Sequence, residues 1–255
     1  PEPVGVALTD RGWLGWRPAK SFEEARAGDY KSKTGDSVKR VYFGDRADYL
    51  LLLSAKGRAY SMRLTDLPSK TDMVPLTQFF DLEAGDRFVE AVLAQPEDKI
   101  IVAGSAGYGY IVEGSNWINR MKAGKTFLTL DENETPLPPH PVKKEEIKDA
   151  SLISLSSDGR FVAFPLSDVK ELPRGTGVAF MGLAPGHTMV DIAVHSKETP
   201  ALLRAKKGKN IVVSNDDIDQ SLSPRSASRK GKLLHKNSAG EFVRRGREGP
   251  ESLPV

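Results

Sequence analysis

The chain has 255 residues, 39% hydrophobic and 28% charged, and no cysteine. That composition fits a globular protein with a sizeable core, and the missing cysteines exclude disulfides, thiolate nucleophiles and cysteine-bound metals. Net charge is only +3, but residues 201–255 hold 12 Lys/Arg against 6 Asp/Glu, which points either to a polyanionic partner or to a solubilising end.

Read along the chain, the first element is a hairpin about Gly12 ("LTDRGWLGW"), and it recurs. Gly57 ("LLSAKGRAYSM"), Gly107 ("VAGSAGYGYIV"), Gly159 ("SLSSDGRFVAF") and Gly208 ("LRAKKGKNIVV") each follow a short apolar run, at intervals of 45 to 52 residues. Six residues before each glycine stands Val6, Leu51, Ile101, Ile153 or Leu202. Ten residues after it stands Phe22, Leu67, Trp117, Val169 or Ile218. Two columns that are apolar five times out of five mark a repeat with a fixed core register, in which Trp117, Leu67 and Val169 are expected to be buried.

Within each repeat, Lys56-Gly57 or Asp158-Gly159 supplies the positive φ of a tight turn. Tyr60, Met62 and Leu64 then alternate with Ala59, Ser61 and Arg63, the period of a half-buried strand. A corner marked by Pro or Asp follows ("TDLPS", "LSDVK"), then a glycine-started stretch ("AGKTFLTL", "GTGVAFMGL", "KGKLLHK"), then a new strand ("GDRFVEAVLA"). No segment keeps a helical apolar period for three turns. The pattern predicts an all-β chain: five blades of four antiparallel strands in a propeller-like ring over residues 1–237. Residues 238–255 ("SAGEFVRRGREGPESLPV") lack this patterning and read as a disordered basic tail.

The chain offers few groups for chemistry. Asp66, Asp168 and Asp217 share one repeat position, which suits turn formers better than a catalytic pair. Ala123-Gly124-Lys125-Thr126 looks like the end of a phosphate-binding P-loop, but Asn119 stands where the first glycine belongs and a β-like stretch follows. The four histidines, His140, His187, His195 and His235, have no metal-ligand spacing, and no G-x-S-x-G elbow occurs. The longest apolar run, Tyr49 to Leu53, is too short to cross a bilayer, and no secretion signal opens the sequence, so a cytoplasmic protein is expected.

Cations do recur, at two repeat positions. One surrounds the turn glycine: Arg11, Lys56, Arg58, Arg160, Lys206, Lys207 and Lys209. The other enters the later strand: Lys31 and Lys33; Arg120, Lys122 and Lys125; Arg174; Arg229, Lys230 and Lys232. A cation returning once per blade would lie on one rim, where it could follow phosphates of a bent duplex; the alternative is a solvated face.

At "AGYGYIVEGSNWINRMKAGKTFLTLDENETPLPP", with "GRAYSMRLTDLPS" and "DGRFVAFPLSDV", the sequence resembles the C-terminal domain of the A subunit of bacterial DNA topoisomerase IV. The resemblance runs from about Val4 to Lys236. It implies a β-pinwheel, a propeller whose neighbouring blades exchange a strand, and a rim that binds and bends duplex DNA, senses its topology and presents it to the cleavage core. It implies as partners the N-terminal cleavage core of the same polypeptide and the B subunit of topoisomerase IV, in the cytoplasm at the nucleoid. Mg and ATP are implied for the holoenzyme and no cofactor for this segment, because the catalytic tyrosine and the ATPase belong to other parts. The related gyrase domain carries a Q-R-R-G-G-K-G box; the nearest match here, Arg120 to Lys125, keeps three cations but not the box, so full wrapping of DNA is not implied. A different class of reading is a protein-interaction propeller with no nucleic-acid role.

Overall fold

The computed structural model describes residues 1–68, 72–221 and 231–243. In chain order the first repeat gives β1 (Pro3–Thr9), β2 (Trp13–Pro18), α1 (Phe22–Arg26) and β3 (Val38–Asp45). The second gives β4 (Tyr49–Ser54), β5 (Arg58–Arg63), a 3₁₀ turn at Leu64–Asp66, β6 (Val74–Pro75), a 3₁₀ turn at Leu76–Gln78 and β7 (Phe88–Ala94). The third gives β8 (Lys99–Ala103), β9 (Tyr108–Glu113), α2 (Gly114–Trp117), β10 (Lys125–Thr126) and β11 (His140–Val142). The fourth gives β12 (Ser151–Ser156), β13 (Arg160–Pro165), a 3₁₀ turn at Leu166–Asp168, β14 (Val178–Ala179) and β15 (Met189–His195). The fifth gives β16 (Leu202–Ala205), β17 (Ile211–Val212), α3 (Asn215–Ser221), β18 (Lys232–Leu233) and β19 (Ser238–Phe242).

These strands form five antiparallel sheets, the blades of the expected all-β class. Their orders are β3-β1-β2-β6, β7-β4-β5-β10, β11-β8-β9-β14, β15-β12-β13-β18 and β19-β16-β17. Four have four strands, and the fifth has three among the described residues. Each sheet is built on the hairpin about its turn glycine. The turns close through N–H to carbonyl bonds such as Gly57 to Ser54 (2.9 Å) and Gly159 to Ser156 (3.1 Å). The glycine is left-handed in all five, at φ 77° to 98°, the backbone of a type I turn followed by a glycine bulge.

The outer strand of each of the first four sheets comes from the following repeat. β6 lies between β5 and β7 in sequence yet completes the first sheet through Trp13↔Pro75 and Leu14↔Val74. β10, β14 and β18 do the same for the second, third and fourth sheets.

The chain divides into two compact units, one holding residues 1–97 and 114–127 and the other 98–113 and 128–243. The first unit contains the first two sheets, which share a core of Val4, Val6, Leu8, Leu50, Leu52, Tyr60 and Leu93. α1 covers the other face of the first sheet with Phe22 and Ala25, and Tyr30 joins them. In the second unit, Leu152, Val162 and Phe164 pack with Ile101 and Ile111 of the third sheet. The alternate residues Ile153, Phe161 and Ala163 pack with Leu203 and Phe242 of the fifth. No helix among the described residues is long and apolar enough to cross a membrane.

The repeat register holds. Phe22, Leu67, Trp117, Val169 and Ile218 are all buried, as are Val6, Leu51, Ile101 and Ile153, while Leu202 is half-buried. Two expectations need correction. β5 is not half-buried: Ala59 and Ser61 are enclosed as well as Tyr60, because α2 and the Asn119 bonded to Ser61 cover its second face, so alternation no longer separates inside from outside. The folded region also continues past residue 237, where the tail was expected to begin. β19 pairs with β16, and Ser238, Phe242 and Val243 are buried. The sequence hides this strand because Gly240, at φ 76°, interrupts its alternation. The remainder of the expected tail, 244–255, lies outside the described residues.

Candidate nucleic-acid interface

Some of the candidate cations stand where an exchanged strand joins its sheet: Arg120, Lys122 and Lys125 about β10, Arg174 before β14 and Lys232 in β18. In the second sheet Lys125 pairs with Ala59 and Thr126 with Arg58. Gly124 precedes this pair at φ 66°, and a Cβ there would stand 2.7 Å from the Tyr60 ring and 2.9 Å from the Ala59 carbonyl oxygen. Only a glycine lets the backbone come so close. Gly177 and Gly231 take the same place before β14 and β18, where a Cβ would meet the carbonyl oxygens of Gly109 and Phe161 at 2.0 and 1.9 Å.

Side chains fasten the second joint. The Arg58 guanidinium donates to the Ala123 carbonyl at 3.1 and 3.0 Å and to the Gly124 carbonyl at 3.0 Å. Asn119 accepts from the Met121 N–H through its side-chain oxygen (3.0 Å) and donates its amide to the carbonyls of Ala59 and Trp117, both at 3.1 Å. Its own N–H donates to the Ser61 hydroxyl (2.8 Å), which returns a bond to the Asn119 carbonyl (2.9 Å). A final bond from the Gly124 N–H to the Met121 carbonyl (2.9 Å) closes the turn 121–124. Below it, burial raises the Tyr60 hydroxyl above its ordinary pKa, opposed by the adjacent Arg58.

Against this frame the expected residues separate. Arg120 and Lys122 are exposed on the fastened turn, and neither forms an ion pair among the described residues. Lys125 is half-buried, and its amine donates to the Asn116 carbonyl. With a two-residue strand rather than a helix after it, the segment does not fit a P-loop. Arg174 is exposed in the corresponding segment of the fourth repeat, and Lys232 is half-buried in β18. Arg160 repeats the part of Arg58 more loosely, with 3.5 Å to the Gly231 carbonyl and 3.6 Å to the Asp158 carboxylate. Lys31 and Lys33 are exposed; the Lys31 backbone pairs with that of Asp72 in an isolated parallel β-bridge, and the Lys33 ammonium lies 5.4 Å from the Trp13 ring centre. Lys206, Lys207 and Lys209 are exposed about the fifth hairpin turn, with Lys206 donating to the Lys236 carbonyl at 3.2 Å. Arg229 and Lys230 lie outside the described residues.

The hairpin turns nearer the amino end carry acids beside their cations. The Arg11 N–H donates to Asp36 (3.1 Å) and the Lys56 N–H to Asp86 (3.0 Å), while the Lys56 ammonium is 3.6 Å from Glu83. Of these contacts, Lys56 with Glu83 joins two charged side chains, an exposed pair of small energetic weight. Sequence reasoning missed Asn119 and Ser61. Asn119 could be seen only as a residue that spoils a P-loop, and Ser61 only as an alternating polar position.

Among the described residues no group of three or more His, Asp or Glu is placed to hold a metal ion. His195 is tied at both ring nitrogens, to Asn215 at 3.0 Å and to the Ala201 N–H at 3.1 Å. Asp217 exchanges bonds with Ser214 at the start of α3 (3.0 and 3.3 Å), the work of a helix cap.

A family model described as the DNA gyrase C-terminal domain, beta-propeller, matches residues 48–71 and 150–196. The A subunit of DNA topoisomerase 4 from Neisseria gonorrhoeae is 29% identical over 237 residues, covering 91% of this chain and 30% of the relative. The Pseudomonas aeruginosa protein of the same name is 30% identical over 227 residues, covering 86% and 29%. The chain thus spans about a third or less of the length of these relatives. Among solved structures, the Escherichia coli ParC C-terminal domain superposes with a TM-score of 0.76 at 23% identity, over 96% of this chain and 98% of that one. A DNA gyrase A C-terminal domain superposes with 0.69 at 19% identity, over 100% and 83%. These two likenesses establish a shared fold.

Proposed function

The chain belongs to the family of C-terminal domains of topoisomerase IV and gyrase A subunits, and from that premise we propose that it binds and bends duplex DNA through phosphate contacts at the joint edges of its blades. The observation that carries this reading is the pair Arg120 and Lys122, exposed without carboxylate partners among the described residues on a turn that Asn119, Ser61 and Arg58 hold still. Fixed cations lose little conformational freedom on meeting phosphate and release counterions from it. Arg174, Lys31, Lys33, Lys207 and Lys209 extend the contact set. Lys125 and Lys232, half-buried at the strand, add charge beneath it. Arg58 and Arg160 act as clamps that present these groups. Phosphate contacts fix the position of a duplex without reading its sequence, which suits a module that responds to the shape and crossing of DNA.

In the holoenzyme the domain would hand a bent duplex to the cleavage core of its own polypeptide, with the B subunit supplying ATP-driven capture. It is an accessory region there and does not itself cut DNA. A cytoplasmic, nucleoid-associated location follows from the same reading.

The test is duplex binding measured over a range of salt. Log affinity should fall linearly with log salt, and Arg120→Glu with Lys122→Glu should weaken binding and flatten the slope by about 0.9 for each phosphate no longer neutralised. Unchanged affinity and slope would remove this turn from the interface. Competition between supercoiled and relaxed plasmid for the same chain tests the response to topology; equal affinity would leave DNA binding but not topology sensing.

A further inference from the structure

Four large hydrophobic side chains are exposed among the described residues: Tyr108 (43%), Met121 (57%), Val212 (58%) and Leu233 (68%). Single exposed apolar groups are ordinary on a protein surface, but these share a location. Met121 stands in the turn before β10, Leu233 in β18 itself, and Tyr108 opposite Ala179 of β14. Val212 lies in β17, the strand of the fifth sheet equivalent to those that receive exchanged strands. The second, third and fourth sheets therefore each show one large apolar group at or beside the joint, and the fifth shows one on the equivalent strand.

Met121 is the best constrained of the four. Its N–H is held by Asn119 and its carbonyl by Gly124, and the carbonyls of Ala123 and Gly124 are held by Arg58. The side chain therefore projects from a backbone that has no easy way to turn it inward. On either side stand the exposed cations Arg120 and Lys122. A thioether between two cations on a rigid turn is poorly matched to water and well matched to a duplex. The cations reach phosphates on the backbone, and the unbranched apolar chain can enter between stacked bases. Apolar wedges of this kind, Met among them, partly unstack a base step and kink the duplex.

We propose that Met121 is a wedge that inserts at a base step of the bound duplex and sets part of its bend. The inference rests on the duplex-binding reading above and adds a contact that charge alone does not supply. A wedge favours steps that unstack easily, so binding should favour duplexes with a pyrimidine–purine step at the contact over duplexes with a stiff A-tract.

The experiment uses the whole chain and a short duplex labelled at both ends. Energy transfer reports the bend at saturation, and titrations at several salt concentrations report affinity and slope. Met121→Ala should reduce the bend and abolish the preference for the flexible step while leaving the salt slope unchanged, because every phosphate contact remains. Met121→Leu should keep both the bend and the preference. Met121→Gln, similar in length but polar, should behave like the alanine variant and stands in for it should that variant melt early. Wild-type chain that fails to bind duplex would overturn the DNA reading itself. Binding with the same bend in wild type and both disruptive variants, or binding with no bend at all, would overturn the wedge and leave the phosphate contacts standing. A parallel drop in salt slope for Met121→Ala would also overturn it, by showing that the substitution acts through the neighbouring cations.

Discussion

Gly124 and Gly159 share a left-handed backbone, at φ 66° and 77°, but not a neighbourhood. Nothing lies within 4 Å of a Cβ placed at Gly159, whereas one at Gly124 meets the Tyr60 ring and the Ala59 carbonyl. Gly159→Ala should therefore cost only the backbone strain, about 1–2 kcal/mol. Gly124→Ala should add roughly 1–3 kcal/mol of overpacking and loosen the turn that carries Arg120 and Lys122. Urea midpoints of the two variants measure the difference, and equal losses would mean that the Tyr60 contact does not constrain the joint. The hairpin glycines could be read from the sequence because a positive φ in a tight turn depends on local neighbours. Close approach at Gly124 could not, since its cause is a carbonyl 65 residues away in sequence. The Arg58 clamp and the Asn119 hub were hidden for the same reason: a lysine or arginine beside a turn looks alike in sequence whether it faces water or a distant carbonyl.

At the level of elements, the column ten residues after each turn glycine is buried in all five repeats. Trp117 closes the second blade from α2: its indole N–H donates to the Leu52 carbonyl at 3.1 Å, and its ring meets Phe127 edge-on at 4.5 Å. Trp117→Ala should cost on the order of 3–5 kcal/mol, visible as a large fall in melting temperature; a negligible fall would show that the blade closes without it. The period exposed this column in the sequence because it is set by packing common to all five repeats. The exchanged strands were less legible. β6, β10, β14 and β18 are two residues each, too short for any alternation to develop; the glycines before β10, β14 and β18 signalled a backbone event, and β6, which follows Met73, had none. The corners between strands proved to be helical pieces of three to seven residues, whose brevity leaves no amphipathic period.

At the scale of the whole molecule, sequence order and spatial grouping part company. Residues 114–127 belong to the first unit although the stretch before them, 98–113, belongs to the second. A chain ended at residue 97 would keep both hairpins of the first unit but lose β10, Trp117 and Phe127. Its β5 amides should exchange with solvent at least about tenfold faster than in the whole chain, the effect of losing about 1.4 kcal/mol or more of local protection. Unaltered exchange would mean that the second blade is stable without its borrowed strand. Borrowing also separates what is inherited from what folds. Donor and acceptor lie in successive repeats, so duplicating or excising a full period, cut at any point, still leaves the seam with a matching pair. Such a lineage can gain or lose blades in whole steps, with no need for the genetic breakpoint to respect a structural boundary.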